Sequence, residues 1–334
     1  MKPKWVAAVI AAVVVVILAA SMGDRTGPAP FVVDGVISGA VYGLVALGLV
    51  LVYKGARVFN FAQGEFGTIA AYVAYVAIDR FDQSYLVALP LALLATLVLG
   101  LIMERAIVRP LMNQPRVTLL VATIAVALLL IGLEILIFRI EPLFLEPLIS
   151  LTGEGDAVRG IKLFDFIVDP MRIAMLGVLA VLGVAVAYFF SRTDLGLAVL
   201  ATSQNAFATR VVGIPVKRVS RFIWGAAAVL GGVAGILYIP PIAGQLVPAV
   251  MTSNVLIPAF TAAVIGGMTS LPGAFLGGVV VGLVQKLSSW AATTYYLGEV
   301  PIQQTVPGAE QVAVFAVLLV ILLIRPQGLL GKEA

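Results

Sequence analysis

Residues 31–53 read FVVDGVISGAVYGLVALGLVLVY, an apolar run that contains a single charged residue, Asp34. A helix needs about 20 such residues to cross the hydrocarbon core of a bilayer. The rest of the chain has the same character: 61% of its 334 residues are hydrophobic and 11% are charged, and the mean hydropathy is +1.11. Soluble domains carry about 25% charged residues. The sequence therefore predicts an integral membrane protein.

Ten segments are candidates for membrane-spanning helices. They lie near residues 5–22, 31–53, 59–78, 85–103, 117–138, 173–190, 222–242, 254–268, 273–290 and 308–324. Two of them are weaker candidates, because 254–268 is short and 59–78 begins with polar residues. The first segment could also be a cleaved signal peptide, but its apolar run is longer than a usual signal core, which favours a retained helix.

The distribution of charge orients these spans. With the N-terminus in the cytoplasm, fourteen basic and four acidic residues fall on the inside, against six basic and twelve acidic residues outside. Cytoplasmic loops of membrane proteins are enriched in Lys and Arg. We therefore expect an all-α polytopic protein with both termini inside, formed by one transmembrane domain over residues 1–334. Its long loops would be 139–172 outside and 191–221 inside.

Several kinds of chemistry are excluded by composition. The chain has no cysteine and no histidine, so a Ser-His-Asp triad, a thiol nucleophile and the commonest metal ligands are impossible. The phosphate-binding pattern G-x-x-x-x-G-K-[ST] is also missing from the sequence. The pI of 9.4 reflects basic residues in short loops, which indicates membrane orientation and not nucleic-acid binding. We expect no catalytic site, metal or cofactor, and any ATP would be bound by another chain.

Polar residues interrupt the apolar pattern at residues 59–66, FNFAQGEF. If this stretch is helical, one face carries Asn60, Gln63, Gly64 and Gly67, while Glu65 points elsewhere. These residues could mark a helix start at the cytoplasmic interface, or they could line a translocation path or its inner gate. Spacing alone does not separate the two interpretations.

Two ionisable residues fall inside apolar runs, Glu134 and Lys286. Both are near the outer ends of their spans, so we expect each side chain to reach the membrane interface. A Glu134–Lys286 pair is an open alternative.

Glycines recur at four-residue spacing. The first set is Gly35, Gly39 and Gly43, and further pairs are Gly231 and Gly235, Gly273 and Gly277, and Gly278 and Gly282. Such faces let helices approach closely in lipid. Packing within the chain is the favoured interpretation, and a subunit interface at 35–43 is the alternative.

The inside loop contains a predicted helix at 196–212, ended by Gly213 and followed by Pro215. A short helix on the cytoplasmic face could bind lipid headgroups or a cytosolic partner. The spacing of residues is compatible with both.

Three blocks of sequence resemble the permease subunits of ATP-binding-cassette importers for branched-chain amino acids, in the branch of the first of two paired permeases. They are GVISGAVYGLVALGLVLVYKGARVFNFAQGEF (35–66), NAFATRVVGIPVKRVSRFIWGAAAVLGGVAG (205–235), and AVIGGMTSLPGAFLGG (263–278) with LLIRPQGLLG (322–331). Together they cover most of the chain in matching order. The family often has histidine where this sequence has Gln63, so protonation of that side chain has no counterpart here.

This resemblance implies a type II importer in the prokaryotic inner membrane. Two homologous permeases would form the pathway, two ATPase subunits would bind the cytoplasmic face, and an external binding protein would deliver substrate. The 191–221 loop would then couple to the ATPase, with contacts at or beside Gln204, Asn205, Arg210 and Gly213. The pathway or gate would include Asn60, Gln63, Gly64 and Glu65.

Branched-chain amino acids are the expected substrates, with urea, short amides and other amino acids as alternatives. A secondary transporter driven by an ion gradient would need acidic or histidine relays in mid-membrane, and this chain has only Asp34, Glu134 and Lys286, near span ends. A membrane-embedded enzyme is disfavoured because His, Cys and clustered carboxylates are missing from the sequence.

Overall fold

The computed structural model describes residues 27–112, 114–145, 161–163, 166–168, 170–204, 206–297 and 300–331. Most of these residues are helical. The helices are α1 (Ala29–Ala56), α2 (Gln63–Tyr75), α3 (Tyr85–Met103), α4 (Arg116–Phe138), α5 (Pro170–Arg192), α6 (Asp194–Gln204), α7 (Ala206–Val211), α8 (Val216–Tyr238), α9 (Ile257–Gly266), α10 (Leu271–Thr294), α11 (Ile302–Thr305) and α12 (Ala309–Ile324).

Four π-helical turns and two small hairpins complete the described structure. The π-helical turns are Val76–Arg80 after α2, Glu104–Val108 after α3, Ile239–Ala243 after α8 and Thr252–Leu256 before α9; the turn after α3 leads into a short helical segment, Arg109–Leu111. Strand β1 (Ile161–Leu163) pairs antiparallel with β2 (Phe166–Val168), with Lys162 opposite Ile167. Strand β3 (Tyr296–Leu297) pairs in the same way with β4 (Val300–Pro301).

Helix α1 lies at the centre of the molecule. Every residue from 37 to 52 is buried, because the helix is apolar on all sides and has no face suited to water. It packs against α5, α8, α9 and α10. The stretch that most clearly predicted a membrane span is therefore the core helix around which the others assemble.

The contact between α1 and α10 depends on glycine. A Cβ atom on Gly39 would lie 2.7 Å from the carbonyl oxygen of Gly278, and one on Gly278 would lie 2.5 Å from the carbonyl oxygen of Gly39. Gly35 and Gly43 face Gly282 and Phe275 of α10 in the same seam. Backbone cannot move aside as a flexible side chain can, so the two helices approach this closely only without side chains.

The outer helices turn apolar side chains outward. Leu86 of α3, Leu136 of α4, Val184 of α5 and Leu323 of α12 are among the most exposed residues. Six helical segments are long and apolar enough to cross a membrane: Ala29–Ala56, Tyr85–Leu111, Arg116–Phe138, Arg172–Phe190, Val216–Ala243 and Leu271–Thr294. Thr252–Gly266 and Ala309–Ile324 are shorter apolar helices. An exposed surface of this kind is suited to lipid.

The all-α polytopic fold predicted from the sequence is confirmed, with two short hairpins in addition. Eight of the ten predicted segments coincide with these long or short apolar helices. The segment predicted at 59–78 corresponds to α2, which begins only at Gln63, and the segment at 5–22 lies outside the described residues. Ten spans and two cytoplasmic termini remain predictions.

Candidate translocation and coupling site

The polar block at 59–66 covers the turn between α1 and α2 and the first turn of α2. Helix α1 ends at Ala56 and is capped by Arg57, whose φ of 55° is left-handed and whose N–H donates to the Tyr53 carbonyl at 2.8 Å. The Asn60 side-chain Oδ1 then accepts the Ala62 N–H at 3.1 Å. Asn favours such turns because its short side chain replaces a backbone partner. The helical interpretation of 59–66 therefore applies only from Gln63 onward, since Asn60 forms a turn that precedes α2.

Helix α4 holds this turn through Thr123. The Phe61 N–H donates to Thr123 Oγ1 at 3.3 Å. The same hydroxyl lies 3.2 Å from the Phe59 carbonyl and 2.8 Å from the Leu120 carbonyl, either of which can accept its hydrogen. Thr123 is 1% exposed, so it supplies hydrogen bonds to backbone groups that water does not reach.

Helix α8 holds the turn from another side through Gln63. Its Nε2 donates to the Ala227 carbonyl of α8 at 2.8 Å, and its Oε1 accepts from Asn60 Nδ2 at 3.3 Å. Both amides are fully buried. Their hydrogen bonds therefore attach the turn to α8. Polar groups at a helix start in the membrane interface would instead be exposed to water.

The next two residues face a different neighbour. Gly64 lies directly against Thr252. The Glu65 carboxyl is fully buried, and its neighbours are the side chains of Thr68, Thr252 and Glu134. Glu65 thus points away from Gln63, toward the π-helical turn at 252–256 and α4.

Glu134 does not reach the membrane interface, so that expectation is wrong. It is 4% exposed, and its Oε2 accepts the Ala249 N–H at 3.1 Å. The chain segment before α9 covers this part of α4 and supplies the donor. The structure pairs Glu134 with this backbone group and with Glu65, so the alternative of a Glu134–Lys286 pair is not formed.

Lys286 occupies a separate polar cavity of about 100 Å³ with Asp34 and Arg172. There Arg172 Nη1 donates to Asp34 Oδ1 at 2.5 Å. This ion pair joins α1 to α5.

The predicted coupling segment contains two described helices, α6 and α7. Thr193 begins α6: its Oγ1 accepts the Gly196 N–H at 3.1 Å, and its carbonyl accepts the Leu197 N–H at 2.9 Å. Val199 and Thr202 are buried against the bundle, whereas Leu197 and Gln204 are exposed. One face of α6 is thus anchored and the other is open.

The end of this segment has the geometry expected for a helix stop. Gly213 has φ of +88°, and the Ile214 N–H donates to the Thr209 carbonyl at 3.1 Å. Val211 and Val212 before it are 73% and 79% exposed. Arg210 belongs to α7, and Asn205 lies outside the described residues. After Pro215, α8 begins at once at Val216.

Sequence reasoning missed Thr123, Tyr72 and Thr252 as members of the site. A hydroxyl in the middle of an apolar span, as at Thr123, was the available signal. It did not identify the partner, because residues 59–61 are more than sixty positions away and only the fold brings them together.

Comparisons with known proteins give a consistent result. Residues 31–324 match the family described as branched-chain amino acid transport system / permease component. The chain is 29% identical over 315 residues to the high-affinity branched-chain amino acid transport system permease protein BraD of Pseudomonas aeruginosa, covering 90% of this chain and 94% of that one. It is 28% identical to the permease protein LivH of Salmonella typhimurium, with the same coverage.

Two further proteins are similar to this chain. A probable branched-chain amino acid transport permease protein, LivH of Methanocaldococcus jannaschii, is 28% identical over 295 residues, which cover 87% of this chain and 88% of that one. Among solved structures, PsaBC from Streptococcus pneumoniae in complex with Fab aligns with a TM-score of 0.45 and 14% identity, over 94% of this chain and 97% of the other.

Proposed function

Because the chain belongs to the permease-component family of branched-chain amino acid transport systems, we propose that it forms part of the pathway by which branched-chain or related amino acids cross the prokaryotic plasma membrane. The chain is a transport subunit that spans the membrane, and it belongs with the permeases of ATP-binding-cassette systems. The observation that carries the substrate class is the family match over 31–324, with relatives named for branched-chain amino acid transport.

In the complete importer, this chain would contact three kinds of partner protein and the surrounding lipid. A second permease of the same family would complete the pathway, two ATP-binding subunits would lie at the cytoplasmic face, an external binding protein would deliver the substrate, and lipid would surround the outer helices. The absence of a phosphate-binding loop from the sequence supports assigning ATP to the partner subunits.

Asn60, Gln63, Gly64 and Glu65 would form the wall or inner gate of the pathway. Support comes from their position at a junction of α1, α2, α4 and α8. Gln63 holds the Ala227 carbonyl of α8, and α8 starts directly after the coupling segment. Residue 227 lies eleven positions along α8, which is roughly 17 Å at 1.5 Å per residue. A movement of the coupling segment 191–221 would thus be transmitted along α8 to the gate residues.

Gln204, Asn205, Arg210 and Gly213 would lie at or beside the ATPase contact. A lipid-anchoring helix presents a broad apolar face opposite a strongly basic one. Between 196 and 213 the sequence has one cation, Arg210, and one aromatic residue, Phe207. The exposed positions Gln204 and Val212 suit a protein partner better than headgroups.

Cross-linking tests this contact in a chain that contains no cysteine. Single cysteines would be placed at the exposed residues Gln204 and Val212 and combined with cysteines on the partner ATPase in the assembled complex. We expect efficient cross-links whose yield changes when nucleotide binds, because the segment should move with the ATPase.

A cysteine at Gln83 provides the control, since this exposed residue is predicted on the opposite side of the membrane. It should give no cross-link. If no position in 200–213 cross-links in an active complex, the segment does not contact the ATPase and the coupling assignment is wrong.

A further inference from the structure

Unsatisfied polar atoms gather at one place between α2 and α4. In the described part of the chain, eight buried side-chain atoms have no hydrogen-bond partner. Five of them belong to one cluster: both carboxyl oxygens of Glu65, one of Glu134, the Tyr72 hydroxyl and the Thr252 hydroxyl. Buried polar atoms in native proteins are normally bonded, so this concentration calls for a bound species.

The cluster is closed to solvent and contains two facing acids. Glu65 is fully buried, Glu134 is 4% exposed and Tyr72 is 2% exposed. The carboxyl groups of Glu65 and Glu134 are neighbours in this cluster, and Tyr72 lies within electrostatic range of both. Two facing ionised carboxylates have no hydrogen to share, so as anions they can only repel.

No base in the described residues compensates for this charge. Two ion pairs among them, Arg109–Glu104 and Arg172–Asp34, include neither Glu65 nor Glu134. Arg139, the next basic residue along the chain after Glu134, is exposed beyond the end of α4. The titratable groups that face the pair are the two acids themselves and Tyr72, while the segment before α9 contributes the Ala249 N–H and Thr252.

We propose that Glu65 and Glu134 bind a single proton between them at neutral pH, as a carboxylic acid–carboxylate pair that holds α2 against α4. The acid O–H then donates to the facing carboxylate, which is a strong charge-assisted hydrogen bond. The Ala249 N–H, which donates to Glu134, stabilises the one remaining negative charge. A buried acid pair generally shares one proton in this way, because two like charges at contact cannot both be ionised.

This site goes beyond the proposed function, since it concerns what the chain binds within its own core. It does not depend on which solute is transported. The competing occupants are a monovalent metal cation and the ammonium group of a substrate, and the experiment below separates them.

The test follows the melting temperature of the purified full chain in lipid nanodiscs as pH rises from neutral to alkaline. In the wild type the stabilising hydrogen bond is present while the proton is bound and is lost as pH rises, so the melting temperature should fall. In Glu65→Gln and Glu134→Gln an amide N–H replaces the acid O–H, so each variant should melt near the wild type at neutral pH and lose this alkaline fall. The exposed control Glu141→Gln should follow the wild type.

A second measurement does not depend on the variants folding. Infrared spectra of the wild type should contain the carbonyl band of a buried carboxylic acid at neutral pH, and this band should vanish on alkaline titration. Its absence from the wild type at neutral pH would overturn the proposal.

Three other results would also overturn it. Glu134→Gln could keep the full alkaline fall. Sodium or potassium could raise the wild-type melting temperature at fixed pH, which would identify a metal cation. A branched-chain amino acid alone could abolish the pH dependence, which would identify the substrate ammonium group.

Discussion

Thr123 shows how one side chain can determine the position of a distant turn. Its hydroxyl accepts the Phe61 N–H and lies against the Phe59 carbonyl, and Gln63 completes the attachment to α8. In the interior of a membrane protein no water replaces such partners. The path of the chain from α1 into α2 therefore depends on a few hydrogen bonds.

Replacing Thr123 with Val preserves the shape of the side chain and removes its hydroxyl. The Phe61 N–H is then left without this partner, which should lower the free energy of unfolding by about 1–3 kcal/mol. Thermal melting of the purified chain measures this change. Substrate uptake should also fall, because the gate residues follow the turn.

Thr118→Val is the matched control. Thr118 lies on the same helix but is exposed, so its replacement should change neither the melting temperature nor the uptake. Equal behaviour of the two variants would contradict the role assigned to Thr123.

At this scale the sequence predicts which residues matter better than it predicts their partners. The polar block at 59–66 was recognisable because it interrupts an apolar pattern. The turn at Asn60 was missed because its side chain competes with the helix for the Ala62 N–H, which a helical wheel ignores. The burial of Glu134 was missed because position along a span predicts only the depth of a residue in the membrane. The segment that buries its side chain, including Ala249, is more than a hundred residues away in the sequence.

Among the elements, α6 and α7 differ from the spanning helices in having both an anchored and an open face. Val199 and Thr202 are buried while Val211 and Val212 project outward. Gly213 then ends the segment in a left-handed conformation. The shape of this end is set by backbone conformation, because nothing lies within 4 Å of a Cβ atom built on Gly213.

Replacement of Gly213 by Val should therefore disturb the end of the segment only through backbone strain at its positive φ, and not through a steric clash. A β-branched residue in this conformation costs roughly 1–2 kcal/mol, so the segment end should shift to relieve it. Uptake and transport-linked ATPase activity should fall together in the assembled complex, while membrane insertion and yield stay normal.

Gly132→Val isolates this cause. A Cβ atom on Gly132 likewise meets nothing within 4 Å, but the residue lies in the middle of α4 with ordinary helical φ. We expect this variant to transport as the wild type does. If Gly213→Val also transports normally, the helix end does not transmit movement.

The spanning elements were predictable from the sequence because each is a long apolar run bounded by charged or helix-ending residues. Helix α2 was harder to delimit, since its first turn carries Gln63 and Glu65, residues whose burial depends on α4 and α8. The hydrophobic pattern therefore identified the helices that face lipid or fill the core. It delimited α2 less well, because α2 is stabilised by polar contacts.

For the whole molecule, the arrangement in the membrane follows from the charge distribution and stays a prediction. Ten spans with both termini inside place most Lys and Arg residues in the cytoplasm. Reporter fusions should give an outside signal at Asp82, Gly155 and Gly298, and an inside signal at Arg57, Pro115, Asn205 and Ser270. An outside signal at Asn205 would refute the topology, because four basic residues follow it between 210 and 221.

The most direct test of the central claim is substrate uptake into proteoliposomes that contain this chain, its partner permease and the ATPase subunits, with the external binding protein supplied outside. We expect leucine uptake that requires this chain and ATP hydrolysis by the partner, and that persists when ion gradients are dissipated. Uptake that continues without the ATPase subunits and stops when an ion gradient is dissipated would contradict the account.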